Sequence, residues 1–316
     1  EIEQRMRRIW QTMPVSIWRR RMIFRWAAAV ACVLLAVGIG WSVWLPGTRE
    51  GRMMPDGQEQ GVQAVQLLLS DGSRHELGPG RLSGSIPGFR VDTGGVIRQE
   101  AVASGPGGDT VRYGEIMVPR GGEYRMVLAD GTRVMLNAET RLRFPEAFGD
   151  GERRVFLEGE AYFEVVQDES HPFVVQTHLG EVMVLGTAFN VNAYTDASVC
   201  YTTLVHGKVQ FSAPNVGTVT LQPGEQAVVS ANGTEKRTVD LDEYIGWVNG
   251  VYNFKNRSLG EIMETFERWY DIQVYYETPD LRDITYSGSL KRYGAVNSFL
   301  DALELTGDLT YKISGR

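Results

Sequence analysis

The hydrophobic and polar positions of this chain divide it into stretches with different periods. The first is an unbroken run of twenty uncharged residues from Trp26 to Leu45, and a helix of that length crosses a hydrocarbon core about 30 Å thick. Trp26 at one end and Trp41 and Trp44 at the other suit the two membrane interfaces. The run therefore predicts one transmembrane helix over residues 26–45.

Two other interpretations of this run stay open, a cleaved signal peptide and a buried helix of a soluble domain. The run is longer than a usual signal-peptide core, and no A-x-A-like cleavage site follows it. Cys32 follows Ala29-Val30-Ala31 as in a lipoprotein signal, but thirteen more apolar residues come after it. These features favour a retained anchor.

The charges on the two sides of the run predict its orientation. Residues 1–25 contain seven arginines and two acids, which places the N-terminus in the cytoplasm. The remaining residues contain 25 basic and 37 acidic side chains, a formal charge of −12. Direct nucleic-acid binding by that part is therefore not expected.

The segment at 1–25 also has a helical pattern of its own. Its apolar residues Ile2, Met6, Ile9, Trp10 and Met13 lie on one helical face. This pattern fits a basic helix on the inner leaflet and equally the last helix of a cytoplasmic domain that binds a partner. Because Glu1 is not an initiator methionine, we expect the chain to begin inside a longer protein.

Residues 46–61 lack an apolar period and predict a linker, and residues 62–238 alternate between short strands and turns. Phe189, Val191 and Ala193, for example, alternate with polar neighbours. Strands are predicted at 155–157, 161–165, 173–176, 182–185, 188–193, 199–204, 208–211 and 226–229. Turn signals at Glu158-Gly159, His206-Gly207 and Pro223-Gly224 separate them. The pattern predicts an all-β sandwich or solenoid.

An internal echo reinforces the β prediction. Residues 67–77 match residues 126–136, and each stretch has an Asp-Gly pair between two apolar runs, Asp71-Gly72 and Asp130-Gly131. Asp and Gly tolerate the positive φ angles of a type I′ turn. The echo therefore predicts two tight hairpins of a duplicated β-element.

Helix signals return in residues 239–316. Ser258 and Glu261 form a capping box, and the helix that follows carries one apolar stripe. The stripe consists of Leu259, Ile262, Met263, Phe266, Trp269 and Tyr270. A second helix is predicted at 295–306, and strands at 251–254, 272–276, 284–287 and 309–313. The order βαββαβ predicts a small α+β domain with two helices on one face of a sheet.

The residues that carry most enzyme and metal chemistry do not form a recognisable site. The four histidines lack metal-ligand spacing, and no phosphate loop or nucleophile elbow occurs. Glu158, Glu160 and Glu164 could serve a hydrolase as paired carboxylates, but the simpler expectation is a solvated strand face.

Cys32 and Cys200 form no disulfide framework, and Cys200 is predicted to be a small buried hydrophobe. Neither a cofactor nor a metal is expected, and the chain is not predicted to be an enzyme.

Several short motifs recur in a specific order and spacing. They comprise Pro119, Arg120, Gly121 and Gly122 in VPRGGEY; Asp130, Gly131, Thr132 and Asn137 in LADGTRVMLNA; Gly159, Glu160, Tyr162 and Phe163 in LEGEAYFEV; Pro172 and Phe173 in HPFVV; Gly186, Thr187, Phe189 and Asn190 in VLGTAFNV; and Trp269 and Tyr270 in RWY. Together these runs resemble the FecR family of membrane-bound sigma-factor regulators, in the form common in Bacteroidetes. The tail from Trp247 is similar to the N-terminal signalling domain of secretins and TonB-dependent transporters.

The resemblance implies a transenvelope signalling role. A regulator of this family lies in the bacterial inner membrane with its bulk in the periplasm, where it receives a signal from an outer-membrane TonB-dependent transporter. Its cytoplasmic segment controls an extracytoplasmic-function sigma factor, as an anti-sigma factor. Intramembrane proteolysis commonly releases that segment, and Gly38 and Gly40 could loosen the helix for this step. The family's sigma-binding region is longer than residues 1–25, which could hold only its juxtamembrane end.

A second class of function also fits the composition. A membrane-anchored β-domain could bind glycan or another envelope component, and Tyr113, Tyr162, Tyr194 and Tyr201 could supply a stacking platform. For the regulator, the expected recognition surface is an open edge of the C-terminal sheet, because an unpaired strand accepts a strand from a partner.

Overall fold

Alternating side chains and frequent glycine turns give this chain a succession of short strands. The computed structural model describes residues 64–78, 81–82, 86–92, 95–100, 111–213, 217–292, 294 and 296–314. Its first eighteen strands are β1 Val65–Leu68, β2 Arg74–Gly78, β3 Arg81–Leu82, β4 Phe89–Val91, β5 Ile97–Gln99, β6 Tyr113–Val118, β7 Tyr124–Val127, β8 Arg133–Leu136, β9 Thr140–Pro145, β10 Arg153–Glu164, β11 Phe173–Gln176, β12 Glu181–Val184, β13 Ala188–Ala193, β14 Val199–His206, β15 Val209–Ala213, β16 Gly217–Leu221, β17 Glu225–Ser230 and β18 Gly233–Thr238.

These strands form two sheets that share β10. The first sheet has the order β3-β2-β1-β6-β9-β10-β11-β12-β15-β16. The second has the order β4-β5-β7-β8-β10-β13-β14-β17-β18. From β11 onward the chain places successive hairpins in alternate sheets, so the strands progress along the molecule. The all-β prediction for this part is confirmed as a two-layered sandwich.

One core fills the space between the sheets. Phe163 of the second sheet and Phe173 of the first have ring centroids 6.0 Å apart, and Phe163 stacks on Phe189 at 5.2 Å. All three side chains are fully buried. Each phenylalanine contributes roughly 1.5–3 kcal/mol by leaving water. The residues of the family motifs that lie in the sandwich thus include central packing residues.

Strand β10 passes from one sheet to the other at Gly159. The half before Gly159 pairs with β9 and β11, and the half after it pairs with β8 and β13. Gly159 has φ +107°, and a Cβ atom there would lie 2.5 Å from Thr140 Oγ1. The predicted turn at Glu158-Gly159 is therefore wrong: the freedom of glycine serves a bend within one continuous strand, not a reversal.

The two Asp-Gly pairs do form the predicted hairpins, β1 with β2 and β7 with β8. Gly72 and Gly131 have φ +84° and +85°, and each glycine amide donates to the carbonyl three residues earlier at 2.9 Å. Asp71 and Asp130 are not among the residues with positive φ. The turns are thus type I turns that end on a left-handed glycine, not type I′. Each aspartate accepts the amide two residues on, at 2.8 and 3.0 Å, which holds this alternative geometry.

The chain continues into a C-terminal segment that contains helices. Its elements are α1 Leu241–Ile245, a 3-10 helix Gly246–Asn249, β19 Val251–Ser258, α2 Leu259–Tyr270, a 3-10 helix Pro279–Asp283, β20 Thr285–Lys291 and α3 Val296–Glu304. The predicted capping box is present, since Glu261 N donates to Ser258 Oγ (3.2 Å) and Ser258 N to Glu261 Oε2 (3.1 Å). The apolar stripe of α2 packs with α3 and β19 in a second core.

The predicted βαββαβ order is wrong at two positions. Strands β19 and β20 form a two-stranded antiparallel sheet, whereas residues 272–276 and 309–313 belong to no strand. Side chains in 272–276 still alternate: Ile272, Val274 and Tyr276 pack against the helical core, and Tyr275 is 85% exposed. Alternation records side-chain burial, but a strand also needs a neighbouring backbone to pair with.

Residues Gly61–Arg316 form one compact unit. Within the described ranges, no helix is long and apolar enough to cross a membrane. The predicted membrane helix at 26–45, the basic segment 1–25 and the linker 46–61 lie outside the described residues.

Candidate functional site

Three polar side chains converge on the outer face of the second sheet. In β10, Ala161 and Phe163 point into the sandwich core, so Glu160 points to the opposite face. Asn137 directly follows β8, and its backbone amide donates to the backbone carbonyl of Glu160 at 2.9 Å. Asn190 lies on the neighbouring strand β13. Strand pairing therefore places Asn137, Glu160 and Asn190 together.

Glu160 is buried at the centre of this group. Its carboxylate accepts from Asn137 Nδ2 at 2.7 Å and from Asn190 Nδ2 at 2.9 Å. Burial raises the pKa of the Glu160 carboxyl, and the hydrogen bonds from the asparagine amides oppose that rise. The expectation that Glu160 lies on a solvated face is wrong, because another part of the chain covers it.

The cover consists of two tryptophans from the C-terminal segment. Trp247 Nε1 donates to Asn190 Oδ1 at 3.2 Å, and Trp269 Nε1 donates to Asn137 Oδ1 at 3.1 Å. Both rings are 5% exposed and pack with Ala138. Each asparagine therefore uses its amide nitrogen for Glu160 and its oxygen for a tryptophan. We call this contact surface the junction; it comprises Asn137, Glu160, Asn190, Trp247 and Trp269, together with Arg292.

Arg292 is the buried cation of the junction, with 3% exposure. Its Nη1 donates to Asn137 Oδ1 and its Nη2 to the Gly122 carbonyl, both at 2.8 Å. The guanidinium lies 4.6 Å from the centroid of the Trp269 ring, and Glu123 forms an ion pair with it at 3.2 Å. Arg292 is the first residue after β20, and it thus joins the end of this strand to the glycine-rich loop between β6 and β7.

Further contacts at the rim hold the end of α2 on the sandwich. The Gly121 amide donates to the Arg268 carbonyl at 2.7 Å. The Arg268 guanidinium forms an ion pair with Asp196 at 2.7 Å and lies 4.1 Å from the centroid of Tyr194. Tyr194 donates to the Ala138 carbonyl at 2.8 Å, and burial raises the pKa of its phenol. The loop that contains Arg120, Gly121 and Gly122 therefore contacts the helix directly.

The structure brings only part of the predicted motif set to the junction. The residues at the junction or its rim are Gly121, Gly122, Asn137, Glu160, Tyr162, Asn190, Trp269 and Tyr270. The others lie elsewhere in the chain: Phe163, Phe173 and Phe189 in the sandwich core, Pro172 before β11, Gly186 and Thr187 between β12 and β13, Gly159 at the bend, Asp130, Gly131 and Thr132 in a hairpin turn, and Pro119 and Arg120 after β6.

One group away from the junction has a structural role of its own. Arg153 is 4% exposed, and its Nη1 donates to Asp130 Oδ2 at 2.7 Å and to the Val166 carbonyl at 3.0 Å. Its Nε donates to the His171 carbonyl at 2.8 Å. This arginine ties the hairpin turn at Asp130 to the segment that leads into β11.

The hydrogen bond from Trp247 to Asn190 was not predicted from the sequence. Neither were the buried positions of Arg292 and Arg153. Arg292 and Arg153 carry a charge that is buried in the structure, and a single sequence gives no local signal for burial. A signal existed for Trp247 alone, since the C-terminal tail that resembles a signalling domain begins at this residue. The partners of both junction tryptophans are far away in sequence, so spacing could not find them.

The four tyrosines proposed as a stacking platform do not form one. Tyr113 lies in the first sheet, 4.3 Å from the Arg143 guanidinium. Tyr194 directly follows β13 and Tyr201 lies in β14, and their rings are covered by the guanidinium groups of Arg268 and Arg237. Tyr162 packs with the junction tryptophans. Glu160 and Glu164, which were considered as a carboxylate pair of a hydrolase, lie in different environments. Glu160 lines a cleft of about 400 Å³ at the junction, and Glu164 does not line it.

Across the described residues, no group of three or more His, Cys, Asp or Glu side chains could hold a metal ion. Cys200 is buried and free, as predicted for a small hydrophobe, and burial raises the pKa of its thiol to about 12.

The fold and the junction define a class: a β-sandwich on whose outer face a helical C-terminal segment is held by buried polar contacts. The family model "FecR protein" matches residues 114–210, and "FecR, C-terminal" matches residues 251–316. Two crystal structures of a candidate anti-sigma factor from Parabacteroides distasonis ATCC 8503 align with TM-scores of 0.59 and identities of 31% and 32%. Each alignment covers 64% of this chain and 95% of the other. Comparison with curated proteins gives no match. The chain belongs to the FecR family.

Proposed function

We propose that this chain is an anti-sigma factor that carries a signal across the envelope to an extracytoplasmic-function sigma factor. The observation that carries the proposal is that FecR-family similarity covers both the sandwich and the C-terminal segment. The candidate anti-sigma factor from P. distasonis, more than 30% identical, supports the same role. The mechanism is recognition by protein contact.

In this proposal the periplasmic part comprises the β-rich residues 62–238 and the signalling residues 239–316. The chain is held in the inner membrane by residues 26–45, with residues 1–25 in the cytoplasm. The uncharged run and its arginine-rich flank support this arrangement.

The periplasmic partner is proposed to be the signalling domain of a TonB-dependent transporter, which binds at the open edge of β20. Within the described residues, β20 pairs only with β19. Strand β19 is also contacted by α1, where Asn253 Nδ2 donates to the Asp242 carbonyl at 3.0 Å. Strand β20 has exposed residues along most of its length and contains no proline. An edge of this kind accepts a partner strand through backbone hydrogen bonds.

A pull-down from the source organism tests the proposal. The regulator is tagged at its C-terminus and expressed from its own gene, so that all natural segments are present. We expect a sigma factor and a transporter to copurify with it. A variant that lacks the whole natural segment before Arg19, but keeps the arginine-rich flank of the membrane run, should lose the sigma factor alone. Capture of polysaccharide without either protein would overturn the proposal in favour of an envelope-binding module.

A further inference from the structure

Strand β20 and the junction are connected by one residue. Arg292 directly follows β20, and its backbone amide donates to the Gly250 carbonyl at 2.8 Å. This bond extends the pairing between β19 and β20 by one step. The side chain of the same residue is buried in the junction. The position of the Arg292 guanidinium is therefore tied to the end of the strand that presents the open edge.

Addition of a third strand changes the geometry of such a sheet. Two-stranded ribbons twist more strongly than wider sheets. A partner strand paired along Thr285–Lys291 would reduce the twist between β19 and β20. Arg292 continues β20 directly, so a change of twist along β20 rotates the backbone at Arg292 and displaces its side chain relative to the sandwich.

The contacts of Arg292 depend on close geometry. The guanidinium has two hydrogen bonds of 2.8 Å, to Asn137 Oδ1 and the Gly122 carbonyl, and it stacks on Trp269. A planar guanidinium satisfies such a set only in one orientation. A small displacement of β20 therefore weakens several contacts at once.

We infer that Arg292 couples the edge of β20 to the junction, such that pairing of a partner strand with β20 loosens the C-terminal segment from the sandwich. The inference rests on the proposed function, because it takes the transporter signalling domain as the source of the strand. By thermodynamic linkage, a partner that favours the loosened junction binds more tightly to a chain in which loss of the Arg292 contacts has already loosened it.

Amide hydrogen exchange on the purified full-length chain separates the two steps. The probes are purified signalling domains of the organism's TonB-dependent transporters. Protection of residues 285–291 reports strand pairing at the edge. Exchange of the Gly121 amide reports the junction, because this amide donates to the Arg268 carbonyl of α2. We expect a bound partner to slow exchange in β20 and to speed exchange at Gly121 by about fivefold or more.

An Arg292→Met variant tests this linkage. It should exchange Gly121 faster without any partner and should bind the signalling domain about fivefold more tightly or better. The matched control is Arg282→Met, since Arg282 is half exposed and forms a surface ion pair with Glu264 at 3.1 Å. The control should leave both measurements unchanged.

Two results would overturn the coupling. Protection of β20 in the wild-type chain without faster exchange at Gly121 contradicts it and leaves the proposed function standing. Failure of every signalling domain to protect β20 contradicts both the coupling and the proposed transporter contact. The wild-type experiment decides the question even if Arg292→Met does not fold.

Discussion

Arg292 and Trp269 donate hydrogen bonds to the same atom, Asn137 Oδ1, at 2.8 and 3.1 Å, while the guanidinium stacks on the indole. The two donors come from different elements of the C-terminal segment, and the acceptor belongs to the sandwich. The Asn137 Nδ2 group donates to Glu160. A single amide side chain therefore connects a buried carboxylate with a buried cation and with the indole of Trp269.

Replacement of Asn137 by alanine should destabilise the chain strongly. The change leaves Trp269 Nε1 without its acceptor and removes one donor from the Glu160 carboxylate. Loss of partners by buried polar groups predicts a decrease of about 2–4 kcal/mol in the free energy of unfolding. Urea denaturation followed by tryptophan fluorescence measures this decrease.

Asn232→Ala is the matched control for that variant, because Asn232 lies exposed in the turn between β17 and β18. It should change the free energy of unfolding by no more than about 0.5 kcal/mol. Equal effects of the two substitutions would show that the junction contributes little to stability.

Gly159→Ala should disrupt the bend of β10. The added Cβ would lie 2.5 Å from Thr140 Oγ1 and 2.9 Å from the Glu139 carbonyl, and the backbone has φ +107°. Overpacking and a strained φ together predict a loss of about 3 kcal/mol or more. Gly224 has a similar φ of +83° but open space around a Cβ atom. Gly224→Ala should therefore lower the free energy of unfolding only by the cost of the strained backbone, about 1 kcal/mol. Thermal unfolding of both variants measures the difference, and equal losses would contradict the clash.

These variants also mark how far the sequence could predict the fold. Local signals were sufficient for the hairpins at Asp71-Gly72 and Asp130-Gly131 and for the start of α2 at Ser258, because each depends on residues within one turn. The bend at Gly159 was predicted as a turn, since glycine permits both. Only pairing with β8, β9, β11 and β13 decides between them.

The junction could be predicted only as a set of motif residues without a common location. Glu160 alternates correctly with the core residues of β10, so its strand face was predictable. Its burial was not, because Trp269 and Arg292 are supplied from more than one hundred positions away in the sequence. The hydrogen bonds that join them to Asn137 span 132 and 155 residues.

Cys200 should be unreactive in the folded chain. Burial raises the pKa of its thiol to about 12, so almost no thiolate forms at neutral pH, and the side chain is fully buried. In a Cys32→Ser background, Cys200 is the one thiol within residues 1–316. We expect a chromogenic disulfide reagent to modify it only after denaturation. Rapid modification of the native chain would contradict the buried position of β14.

Glu160 should make stability depend on pH in a defined direction. Burial raises the pKa of its carboxyl above the ordinary value of 4.5 in the folded chain. Between the unfolded and folded pKa values, the folded chain binds more protons than the unfolded chain. The contribution of Glu160 to the free energy of unfolding is therefore largest below the unfolded pKa and falls as pH rises through the folded pKa.

The comparison with Glu160→Gln isolates this contribution, because glutamine does not titrate. Urea denaturation of both chains from about pH 4 to about pH 8 should show the stability of the wild-type chain falling relative to the variant. Glu164→Gln, four residues further along β10 at a half-exposed side chain paired with Arg133, should follow the wild-type profile. A wild-type advantage that grows with pH would mean that the amide donors of Asn137 and Asn190 outweigh burial. The carboxylate, not the carboxylic acid, would then be the form that the junction stabilises.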